Sequence, residues 1–222
     1  MQNDAEKYLI KLLKKILKLV SGKSKIINLG AAQSVVIEEE LIQDGINFVC
    51  DRSDIQPNTV SKEYIGQSFI CPLEKMTAIN SNEYDCVFAN FVLEHISDPL
   101  AAASEITRIL KPGGKLIISL SNPRAPEFRL ARITPTSFHQ LLREKGHDPA
   151  YPVKYAYGSI EKLIKLFENN GLKLQEDRRF PAIYSYLYHF PILNFLGKTY
   201  DKILKKLKWR GIMGHCVLFL EK

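Results

Sequence analysis

Residues 84–122 constrain this chain most, because they spell two buried strands joined by one helix. Cys86 to Ala89 is an apolar run without polar alternation, the pattern of a parallel strand covered on both faces. Asp98-Pro99 offers an N-cap followed by proline at the first helical position. Ala102, Ile106, Ile109 and Leu110 then recur at helical spacing, with Glu105 and Arg108 expected on the solvent side. Pro112-Gly113-Gly114 is expected to stop the helix, and Leu116 to Leu120 reads as a second buried strand. A strand, a helix and a strand in this order make a right-handed βαβ unit.

The flanking sequence extends the same alternation. Residues 5–20 predict an amphipathic helix, with Leu9, Leu12, Leu13, Ile16 and Val20 on one stripe and five lysines mostly opposite. Such a helix either docks on the domain or lies on a membrane surface. Lys25 to Gly30 reads as a first strand, Val35 to Gln43 as a helix ended by Asp44-Gly45, and Ile46 to Cys50 as a second strand. Ser68 to Cys71 is a short third strand. Ser159 starts a clear helix stopped by Asn170-Gly171, and Leu172 to Phe180 and His215 to Leu220 are expected as a last, antiparallel pair. Between that pair lies an apolar and lysine-rich insertion, 181–213.

With 222 residues and no repeat or low-complexity linker, the chain is expected to form one domain over 1–222. Within it, 1–24 is a basic amphipathic N-terminal segment. Cys50, Cys71, Cys86 and Cys216 are widely spaced in apolar runs, so they read as small buried hydrophobes in a reducing compartment, not metal ligands. Neither a leader nor a run of roughly 18 apolar residues is expected, and a cytoplasmic location follows. The net charge of +7 points to an anionic partner, but the lysines gather at 7–25 and 198–208, outside the βαβ core. They are read either as solvated helix faces or as peripheral contacts with a membrane surface.

The 84–122 stretch also carries a family resemblance. Tyr84-Asp85-Cys86-Val87, Asn90, Leu93-Glu94-His95, Asp98-Pro99 and the run Arg108 to Gly114 resemble the strand 4 to strand 5 region of class I S-adenosylmethionine-dependent methyltransferases. The similarity is to the small-molecule, type 11-like branch. It implies a doubly wound α/β fold, a Rossmann-like, mostly parallel sheet of seven strands in the order 3-2-1-4-5-7-6. It also implies S-adenosylmethionine as cofactor and methyl transfer to a small-molecule, saccharide or lipid-linked acceptor. Base-modifying enzymes carry other residues after strand 4, so nucleic acid is not an expected partner; no metal and no particular oligomeric state are implied.

By the same resemblance, Gly30, Ala31 and Ala32 occupy the cofactor loop, where two of the family's glycines and its acid are replaced by Ala32, Ser34 and Asn28. Asp51, 21 residues after Gly30, is expected at the end of the second strand, either on the ribose or capping a turn, with Arg52 beside it. Cys71 and Leu73 would wall the adenine, and Asn90 and Phe91 would face the sulfonium end. His95 is the candidate catalytic base, or it orients an acceptor or caps a helix. The excursion 123–157, with Arg124, Arg132, His139, Tyr155 and Tyr157, is expected as a substrate lid or a packed surface insertion. A rival from another class is a non-catalytic binding module of this fold with an eroded cofactor loop.

Overall fold

The computed structural model describes residues 2–133, 152–186 and 191–222, with backbone alone at 130–133, 185–186 and 191–193. Its centre is a seven-stranded sheet of β1 (Ser24–Leu29), β2 (Phe48–Asp54), β3 (Ile65–Ile70), β4 (Tyr84–Asn90), β5 (Leu110–Ser121), β6 (Lys173–Phe180) and β7 (His215–Glu221). The spatial order is β3-β2-β1-β4-β5-β7-β6, with β7 antiparallel to both neighbours, as expected.

Two helical layers cover the sheet. On one face lie α1 (Asp4–Leu17) and α2 (Val36–Gln43), whose Leu9, Leu13, Ile37 and Leu41 pack with Ile26, Phe48, Cys86 and Phe88. Asn3 caps α1 by accepting from the Glu6 amide at 2.9 Å. The leucine stripe of α1 is therefore spent on the domain, and Lys14 and Lys18 pair with Glu40 and Asp44. On the other face, α3 (Pro99–Ile109) and α5 (Ile160–Asn169) bury Ala102, Ile106, Ile109, Leu163 and Phe167 against Val87, Ala89 and Ile118. Between these two helices in the chain comes α4 (Pro126–Ile133); α6 (Ile183–Tyr186) and α7 (Pro191–Leu207) precede β7. Asp98 caps α3 through the amides of Leu100 and Ala101, and Ser159 caps α5 through Lys162.

Three expectations are corrected. β2 does not end at Cys50: Arg52 and Ser53 continue it, opposite Asn28 and Leu29. Pro112-Gly113-Gly114 does not sit between helix and strand but inside β5, as an irregularity where pairing jumps from Tyr84–Leu110 to Cys86–Lys115; Gly113 has φ +75°. Glu105 and Arg108 are half-buried, not solvated, because they tie α3 to the segment before β4. Glu105 accepts from the Met76 amide, while Arg108 donates to the carbonyls of Met76 and Ile79.

Candidate active site at the carboxyl edge

The chain leaves β1 toward β2 on one side and leaves β4 toward β5 on the other. Their carboxyl ends therefore bound the crevice where open α/β sheets hold ligands. Gly30, Ala31 and Ala32 follow β1 there, Asn90, Phe91 and Val92 close β4, and Cys71 and Leu73 follow β3. Gly30 has φ +66°, and a Cβ on it would come within 2.6 Å of the Val92 methyl groups, so only glycine fits. The loop closes onto β2: the Gly30 and Ala31 amides donate to the Ser53 carbonyl, and the Ala32 amide donates to Asp54 Oδ2 at 2.8 Å. Asp54 is thus the carboxylate at the strand end, and its backbone carbonyl accepts from the Cys71 amide.

Asp51 is not at this edge. It lies opposite Ile27 in mid-sheet, 2% exposed, and its side chain serves the amino ends of β1 and β4. It accepts from the Tyr84 hydroxyl at 2.8 Å and the Gln67 amide at 2.7 Å, with Lys25 Nζ at 3.4 Å. Arg52 is fully buried instead of facing a ligand. Its guanidinium donates to the carbonyls of Ala31 and Ser34 and stands 3.7 Å from Glu38, which also accepts from Asn28. Asn28 and Arg52 thereby brace the loop from beneath by a buried polar network, where the related pattern uses glycines and an acid.

On the β4–β5 side, Ser119 donates to Asn90 Oδ1, and Asn90 Nδ2 donates to Glu6 at 3.2 Å. Burial raises the Glu6 carboxyl, with the Asn90 contact opposing. Phe91, at φ +56°, sets its ring edge-on to His215 at 4.8 Å, and Phe128 stacks on His215 at 6.0 Å. Burial lowers His215 to about 4, so its imidazole is neutral near pH 7.

Two carboxyls are displaced the other way: burial pushes Glu94 up to about 7 against a Ser121 hydroxyl bond, and pushes Glu127 up to about 7 with help from Asp201. Among the described residues, Glu94 Oε2, Glu127 Oε2, Asp201 Oδ1 and the Tyr200 hydroxyl are buried without a hydrogen-bond partner. Groups displaced by desolvation and gathered in one place are the usual mark of a functional site.

The other expected residues separate. His95 is half-buried with Nδ1 3.2 Å from the Pro152 carbonyl. A carbonyl can only accept, so Nδ1 donates this bond. Arg124 is a surface residue paired with Glu161 at 3.3 Å. Tyr155 and Tyr157 belong to the core and not to a solvent-facing lid: the Tyr157 hydroxyl donates to the Ser121 carbonyl at 2.6 Å, and the Tyr155 amide donates to the Glu94 backbone carbonyl. Arg132 lies in α4 with its side chain undescribed, and His139 lies outside the described residues.

The sequence reading does not single out Glu6, Glu127, Asp201 or His215, and it takes Asp54 only as a second turn-capping carboxylate of no consequence for the cofactor. His215 could have been found from topology alone, since an antiparallel last strand must begin at the carboxyl edge. Among the described residues no cluster of His, Cys, Asp or Glu could hold a metal. A cleft of about 540 Å3 opens at the opposite, amino edge beside Leu12, Val20, Lys111, Lys115 and Phe219. Two of its lysines are paired, Lys111 with Asp85 and Lys115 with Glu221, both at 2.6 Å.

Comparison with known proteins places this arrangement. The methyltransferase-domain family model matches residues 43–118. The ubiquinone biosynthesis O-methyltransferase of Thiobacillus denitrificans is 30% identical over 103 residues, 46% of this chain and 42% of that protein. The chain thus spans less than half the length of that relative. A putative sarcosine dimethylglycine methyltransferase from Galdieria sulphuraria superposes with a TM-score of 0.61 at 16% identity, covering 97% of this chain and 84% of the other. Phosphoethanolamine N-methyltransferase 2 of Haemonchus contortus, solved with S-adenosyl-L-methionine, gives 0.59 at 16% identity, covering 97% and 51%. The chain has the class I S-adenosylmethionine-dependent methyltransferase fold.

Proposed function

We propose that this chain transfers a methyl group from S-adenosylmethionine to a small-molecule or lipid-linked acceptor at the carboxyl edge of β1, β4 and β5. The observation that carries the reading is the gathering of desolvated, displaced titratable groups beside the switch-point crevice, away from the paired charges elsewhere. The residues present fit the cofactor at this edge, though not at Asp51. Gly30 keeps the loop backbone free of a Cβ, and Asp54 stands at the strand end with a second lone pair on each oxygen. Bound there, the cofactor would supply an electrophilic methyl on sulfur.

Each side chain then has a defined task. Asp54 accepts from the ribose hydroxyls, and Cys71 and Leu73 wall the base. Asn90 is held in one orientation by Ser119 and Glu6, at the sulfonium end. Phe91 and neutral His215 form an aromatic floor for the acceptor. His95, its ring oriented by the Pro152 carbonyl, takes the acceptor's proton. The O-methyltransferase name of the relative above supports an oxygen acceptor.

One observation favours the rival reading of a binding module: the Gly30, Ala31 and Ala32 amides already donate within the chain, and Arg52 fills the space beneath them. Calorimetric titration with S-adenosylmethionine separates the two readings. Parent protein should bind, and Asp54→Asn should bind roughly ten- to a hundredfold more weakly, the effect of losing a charged acceptor. Product mass spectrometry with a metabolite library should show a gain of one methyl, lost in His95→Gln. Absence of binding by the parent would leave only the module.

A further inference from the structure

We propose that the outer face of α7, together with Trp209, is a docking surface for an anionic lipid layer, with the helix lying in the plane of the interface. The helix has an inner side that packs on the domain: Gly197 is buried, Leu204 is 1% exposed, and its one acid, Asp201, turns inward. Its other side carries Phe195, Leu196, Ile203 and Leu207 in the open, at 70, 57, 47 and 49% exposure, and Trp209 follows at 56%. Phe195, Ile203 and Leu207 fall on one line with Thr199, four residues apart, so they form a stripe and not a scatter. Single exposed apolar residues are ordinary, but a contiguous row marks a surface that meets something apolar.

Charge selects the occupant. Lys198, Lys202, Lys205, Lys206 and Lys208 flank the stripe, all exposed. Lys205 reaches Asp4 at 3.4 Å and Lys198 lies over the Tyr184 ring, while Lys202, Lys206 and Lys208 make no ion pair among the described residues. An apolar stripe between rows of lysine, with no acid facing out, complements a layer of apolar chains under anionic headgroups. Trp209 at the end of the stripe suits the headgroup level. A helix of 17 residues is about 25 Å long, and no described helix is long and apolar enough to cross a membrane, so the contact is lateral. α1, the other basic amphipathic segment, is excluded from this role because its leucines are buried on the sheet. The inference stands apart from methyl transfer, since no residue of the helix's outer face belongs to the crevice.

Trp209 is the only tryptophan of the chain, so its emission reports on this face alone. Full-length protein is mixed with phosphatidylglycerol–phosphatidylcholine vesicles and with pure phosphatidylcholine vesicles, at low and high salt. The expected result is a blue shift and co-sedimentation with the anionic vesicles, weakened by salt. Lys202→Gln and Lys206→Gln should each reduce partitioning about fivefold. Phe195→Ser combined with Ile203→Ser should abolish the shift while leaving the circular dichroism melting curve unchanged. No shift, or equal binding to both vesicle types, overturns the proposal. A blue shift without vesicles that grows with protein concentration overturns it too, and assigns the face to a second copy of the chain.

Discussion

The two edges of the sheet treat buried charge in opposite ways. At the amino edge, charges meet partners: Lys25 bonds Glu83 at 2.5 Å and approaches Asp51, Asp51 accepts from Tyr84, and Lys111 holds Asp85. There the hydrogen bond between Lys25 and Glu83 is the leading cause that raises the one and lowers the other. At the carboxyl edge, burial is the leading cause for Glu6, Glu94, Glu127, Asp201 and His215, and each is pushed toward its neutral form. Partnered charges lock strands together. Charges stripped of water without a counter-ion destabilise the fold, and they are retained where something other than folding uses them.

Substitutions should separate the edges. The largest effect is expected from Asp51→Ala, which leaves the buried Tyr84 hydroxyl and the Gln67 amide without their acceptor and removes one of the two carboxylates beside Lys25. Chemical denaturation should show a loss of about 2–4 kcal/mol, while the folded protein keeps its affinity for S-adenosylmethionine. Weakened cofactor binding with intact stability would return Asp51 to the cleft.

A change of opposite sign is expected from Glu94→Gln. Because the folded carboxyl is raised from 4.5 to about 7, the folded chain holds a proton through that window that the unfolded chain has released. Stability therefore falls as pH rises from 4.5 to about 7 and is level above. Glutamine can still accept from Ser121, so above that window the variant should gain up to roughly 3 kcal/mol over its standing in acid. His215 works the other way: its contribution is lost as pH falls from 6.5 toward 4. A parent and a Glu94→Gln protein with parallel pH–stability curves would show that this carboxyl is not desolvated.

The smallest effect belongs to Arg124→Ala. Its pairing with Glu161 is exposed on both sides, so stability should move by less than about 0.5 kcal/mol. A larger loss would mean that this rim carries structural charge after all.

The βαβ unit around 84–122 was legible because burial on both faces of a parallel sheet writes a continuous apolar run, and caps such as Asp98 and Ser159 are local chemistry. The site was only partly legible. Asp51-Arg52-Ser53-Asp54 looks like a polar exit from a strand, yet it continues β2 because Tyr84 donates to Asp51 while Glu38 and loop carbonyls, remote in sequence, partner Arg52. That shifts the strand-end acid from Asp51 to Asp54. Tyr155 and Tyr157 read as lid aromatics because nothing local reveals that Ser121 and Glu94 bind them to the core. Glu6 was hidden in a helix whose lysines dominate the pattern, and its meeting with Asn90 is a tertiary event across 84 residues.

The central claim is that S-adenosyl ligands bind at the carboxyl edge between β1 and β4. Backbone amide spectra recorded during titration with S-adenosylhomocysteine test it directly. Saturable shifts are expected at Gly30, Ala31, Asp54, Cys71 and Asn90, with Lys25, Asp51 and Tyr84 still. Shifts confined to Lys111, Lys115 and Phe219 around the amino-edge cleft, or none anywhere, would contradict it.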